Sequence, residues 1–79
     1  MSDTYKYYLQ DLSFLLKERA LEAKEDFKKA SKEDEAFATG YLAAYHHVLE
    51  IMKNQAVSFN IDEKEIKLDD IDPDKDLLG

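Results

Sequence analysis

Cysteine and tryptophan are absent from this 79-residue chain, proline occurs once and glycine twice. Without thiols there is neither a disulfide staple nor a thiolate zinc site, and a lone core of this size rarely supplies more than about 5 kcal/mol of net stability. Oligomerisation is the remaining source of support. No run approaches the roughly 20 apolar residues of a membrane span, and Met1-Ser2-Asp3-Thr4 lacks the basic-then-apolar order of a secretion signal. Positive charge is scarce as well: 11 Lys and Arg stand against 18 Asp and Glu, for a net charge of −7. Such a balance repels phosphate backbones unless one face gathers the cations, and no stretch does so. These absences predict a cytoplasmic protein that binds neither membranes nor nucleic acid.

What is present is unevenly distributed. Residues 61–79 hold eight of the acids and three of the cations, whereas all nine aromatic side chains lie before residue 60. The composition therefore predicts a core-forming unit over 1–60 and an acidic extension over 61–79 that decorates it.

Ser2, Asp3 or Thr4 can cap a helix over about 4–30, in which Tyr5, Tyr8, Leu9, Leu12, Leu15, Leu16, Ala20, Ala23, Phe27 and Ala30 recur at three- and four-residue steps. At about 100° per residue they fill a stripe roughly 140° wide, while Tyr7, Phe14 and Leu21 form a narrow second line. Ser31-Lys32-Glu33-Asp34-Glu35 interrupts the stripe, with a capping serine ahead of acids that suit a helix start. A second helix is expected over about 32–58, with an apolar face nearly 200° wide. One uninterrupted helix would also keep the phase, but a five-residue polar break without sustained heptads favours a hairpin.

Each face is too wide for a single partner helix. The predicted fold is all-α: a hairpin of two long helices with an acidic C-terminal tail, dimerising into an antiparallel four-helix bundle. Tyr8, Leu12, Leu15, Phe37, Tyr41, Ala44 and Val48 are the expected interface. Gly40 joins them because a mid-helix glycine costs about 1 kcal/mol relative to alanine, which a close helix crossing would offset. Arg19 falls near the middle of the first stripe, where a charge needs a partner.

Chemistry has little to work with. There is no cysteine nucleophile, no glycine-rich phosphate loop and no specific Ser-His-Asp arrangement, and Ser13 reads as a helix-surface residue. His46, His47 and Glu50 alone resemble metal ligands, being about one helical turn apart. Dinuclear carboxylate bundles instead repeat Glu-x-x-His on two helices, so solvated histidines and no cofactor are expected. Asp70, Asp72, Asp74 and Asp76 alternate like the start of a calcium loop, yet Pro73 intrudes and the glycine and bidentate glutamate of such a loop are missing.

The run from Phe37 to Ala56, followed by Phe59-Asn60-Ile61, resembles the second helix of small uncharacterised proteins from low-GC Gram-positive bacteria. That resemblance implies a cytosolic bacterial helical protein and carries no activity with it. The expected function is a non-enzymatic, dimeric protein-interaction or regulatory module, whose tail residues Ile66, Leu68 and Ile71 meet a partner or dock on the bundle. A small-ligand or metal-binding bundle and an acidic mimic of nucleic acid are the alternatives.

Overall fold

The computed structural model describes residues 3–79. Helix α1 spans Asp3–Lys29 and helix α2 spans Glu35–Ser58; they pack against each other as a hairpin, and no strand occurs among the described residues. The second helix begins three residues later than the serine predicted. Ser31 does not cap it, because the Ser31 hydroxyl is turned to the Asp34 carboxylate (3.2 Å) while the Asp34 amide bonds the Ser31 carbonyl (3.1 Å). This turn reverses the chain, and Asp34 takes the N-cap position without a side-chain cap bond.

Helix α2 ends in a Schellman arrangement. Asn60 adopts φ 57°, the left-handed region that asparagine tolerates, so that the Ile61 amide reaches the Ala56 carbonyl at 2.7 Å and the Asn60 amide reaches Val57. The chain then folds back along the hairpin through a 3₁₀ turn, Glu63–Ile66, and a terminal π-helical turn, Pro73–Leu78.

Small residues at the helix contact, Ala20 and Ala23 on α1 and Ala56 on α2, let the two backbones approach, with Leu42 and Leu49 filling the seam. Ile66, Leu68, Ile71 and Leu77 complete the same core. Of the two readings of the tail, docking on the bundle is the one observed, and the expectation of a merely decorative tail offering Ile66, Leu68 and Ile71 to a partner is corrected. All three are buried within the chain, because short apolar side chains spaced among the acids point inward while the carboxylates stay in water.

Polar tethers follow the same path. Gln10, Lys17 and Lys24, seven residues apart, form one line on α1, and each reaches the tail. The Gln10 amide donates to the Glu65 carbonyl (2.8 Å), Lys17 to Asp70 (2.9 Å), and Lys24 to the carbonyls of Leu77 and Gly79 (3.0 Å each). From α2, Lys53 donates to the Ile71 carbonyl. The hydrogen bond from Lys17, aided by its charge, holds the Asp70 carboxyl below its ordinary value of 3.8.

Two further expectations are corrected. Ser13 lies on the buried face of α1 at 0% exposure rather than on the surface. Arg19 is exposed, in the part of the apolar stripe that the second helix and the tail leave uncovered, so within the chain it needs no buried counter-charge.

Candidate functional site

The tail covers one side of the hairpin and leaves the other bare. At about 100° per residue, Gln10, Lys17 and Lys24 lie on one flank of α1, and Tyr8, Leu12, Leu15 and Arg19 on the opposite one. On α2, Lys53 and His46 face the tail, whereas Phe37, Tyr41, Ala44, Val48 and Ile51 face away from it. The bare side carries a run of exposed apolar residues, and the tail flank keeps some too, since Tyr7, Phe14, Leu21 and Val57 are also exposed. Tyr8, Leu15, Phe37, Tyr41, Val48, Ile51 and Phe59 are exposed large apolar residues, with Phe37 at 75% and Tyr8 at 66%.

All the residues expected at an interface lie on this bare side or its edge: Leu12 is half-buried, and Tyr8, Leu15, Phe37, Gly40, Tyr41, Ala44 and Val48 are exposed. Ile51 and Phe59, expected on the apolar face of the second helix, extend the surface beyond the residues expected at the interface. Aromatic rings stiffen it: Phe37 stacks on Tyr41 with centroids 5.7 Å apart, and Tyr41 meets Tyr45 at 5.1 Å. Arg19 and Glu22 join Phe37 and Tyr41 around a groove near the hairpin turn. Gly40 makes no crossing within the chain, since a Cβ there would meet nothing within 4 Å. No helix is long and apolar enough to cross a membrane.

A polar cluster occupies the tail side. The His46 side chain is only 7% exposed, and its Nε2 lies 2.7 Å from Asp74 Oδ1 and 3.9 Å from Glu50 Oε2. His46 and Glu50 were legible as an i, i+4 pair on one helix. Asp74 was not, because it arrives from the terminal π turn, 28 residues away in sequence. His47 projects into solvent at 69% exposure, 4.0 Å from Glu50. The expected solvated pair of histidines is thus half right: His47 is solvated, and His46 is buried between α2 and the tail.

The alternating aspartates do separate jobs. Asp70 pairs with Lys17, the Asp72 carboxylate accepts the Asp74 and Lys75 amides (3.1 and 3.2 Å), Asp74 meets His46, and Asp76 accepts the Asp72 amide (2.9 Å). They bond outward or to local backbone and do not converge as a calcium loop would. Asp72 has a particular consequence, since its two amide bonds fix the turn that presents Asp74 to His46.

No protein-family model, curated protein or solved structure matches this chain.

Proposed function

We propose that the chain is a self-associating interaction module, in which the bare sides of two hairpins pack together as an antiparallel four-helix bundle. The observation that carries this reading is the division of the hairpin into a side closed by its own tail and a side of contiguous exposed apolar residues. Tyr8, Phe37, Tyr41 and Phe59, at the exposure each retains, supply on the order of 500 Å² of the about 800 Å² that a standard interface takes from each partner. The leucines, Val48 and Ile51 supply much of the remainder. A two-fold contact is self-complementary by construction, so one surface serves both copies. The elongated shape, with Cα extents of 48 × 20 × 16 Å, supports the same reading, because a hairpin this thin has no third layer on its bare side.

In the pair, the tails lie on the outside and present their carboxylates to other proteins, which makes the assembly a non-enzymatic binding or regulatory module. Sedimentation velocity across the micromolar range tests the association. The expected species has twice the 9.2 kDa chain mass, and Tyr41→Lys with Val48→Lys converts it to a folded monomer. A wild-type chain that sediments as a monomer, with a melting temperature independent of concentration, overturns the reading.

A further inference from the structure

We propose that His46, Glu50 and Asp74 form a binding site for a divalent transition-metal ion of the zinc class, which pins the C-terminal segment to α2. Three observations point there. First, both carboxylates converge on one nitrogen. His46 Nε2 has a single in-plane position for a proton, and Asp74 Oδ1 at 2.7 Å takes it, leaving Glu50 Oε2 at 3.9 Å beyond hydrogen-bond range. A metal at that position replaces this proton and can bond both carboxylates at once. Second, the three ligand atoms lie within 4.8 Å of one another. Bonds of about 2.0–2.2 Å in tetrahedral geometry place ligand atoms roughly 3.4 Å apart. The 2.7 Å contact therefore has to open and the 3.9 Å contact to close, and both are small movements for the partly exposed Glu50 and the exposed Asp74.

Third, no permanently charged side chain matches the two carboxylates. Among the described residues no lysine or arginine pairs with Glu50 or Asp74. Lys53, the nearest cation on the same helix, is turned to the Ile71 carbonyl and to Glu63 at 3.5 Å. One neutral imidazole and two carboxylates then carry a formal charge of −2, which a divalent ion neutralises. The nitrogen donor selects zinc-like ions over magnesium and calcium, which take all-oxygen ligands. Three protein ligands leave a fourth position for water. Asp72, through its bonds to the Asp74 and Lys75 amides, acts as a positioning residue for the third ligand. The site lies on the tail side of the hairpin and does not depend on self-association.

The test is titration of the full chain with zinc chloride in a non-coordinating buffer, followed by calorimetry and by nitrogen-15 shifts of the imidazoles. One ion per chain is expected, with the shift change at His46 Nε2 and a zinc-dependent rise in melting temperature. Asp74→Asn and Glu50→Gln should each weaken binding at least about tenfold, whereas His47→Ala should leave it unchanged and excess magnesium should not compete. Unaltered affinity in Asp74→Asn, loss of binding in His47→Ala, half an ion per chain, or His46 resonances indifferent to zinc would each overturn the assignment. Failure here leaves the sedimentation result untouched, so this site and the self-association are judged separately.

Discussion

Truncating Leu68 to alanine is the most direct test of whether the acidic segment belongs to the folded core. Leu68 is 0% exposed and packs with Ile66, Ile71 and Leu77 against the helices. Removing three buried carbons loses their transfer free energy and leaves a cavity, which together cost about 2–5 kcal/mol for a leucine. A lone core of this size rarely supplies more than about 5 kcal/mol, so the loss is a large share of it. At about 4–8 °C per kcal/mol for a domain this size, a 3 kcal/mol loss lowers the melting temperature by roughly 12–24 °C. Leu78→Ala is the matched control: the adjacent helical turn presents Leu78 to solvent at 56% exposure, and surface changes stay within about 0.5 kcal/mol. Thermal melts by circular dichroism at one fixed protein concentration compare the two. If Leu68→Ala melts within about 2 °C of Leu78→Ala, which is well under 1 kcal/mol, the segment is not part of the core.

Two other side chains give smaller, signed effects. Ser13 is fully buried with an unpaired hydroxyl, so Ser13→Ala removes an unsatisfied group and improves helix propensity; a gain of about 1 kcal/mol and a rise of roughly 4–8 °C are expected, and a fall would show that the hydroxyl is bonded. Asp70 titrates below 3.8 because Lys17 bonds its charged form, so the unfolded chain takes up the proton first as the pH falls. The pair's contribution is present above that value and lost through the folded-state value below it. With Asp70 exposed, Asp70→Asn should lower stability at neutral pH by no more than about 0.5 kcal/mol and match wild type near about pH 2, as urea unfolding at both pH values will show.

The hairpin was readable because Leu9, Leu12, Leu16, Ala20 and Ala23 repeat at helical spacing, and a period survives without knowledge of what it packs against. The tail was not readable in the same way. Its backbone follows no single period, its composition is dominated by acids, and its contacts reach back 50 to 55 residues to Lys17, Gln10 and Lys24. The seven-residue spacing of those three polar side chains was the available signal, since it marks a straight line along one flank of α1. Gly40 is a different case: its small size suggested a crossing, and within the chain a Cβ there meets nothing, so any crossing at Gly40 would be with a second molecule. Of the metal-like cluster, the helical pair His46–Glu50 followed from spacing alone, whereas Asp74 depends on where a chain reversal at Asn60 directs the final residues.

The one-sided tail also sets a limit on growth. A two-helix hairpin with both broad sides sticky has no reason to stop at a pair, because each added copy exposes the same adhesive side it has just covered. The segment after Asn60 backs one side: it buries four aliphatic side chains against the helices and keeps its carboxylates outside, while Tyr7, Phe14, Leu21 and Val57 remain exposed beside it. If the hairpins pair through the remaining side as proposed, the concentration of negative charge in the last nineteen residues favours stopping at two.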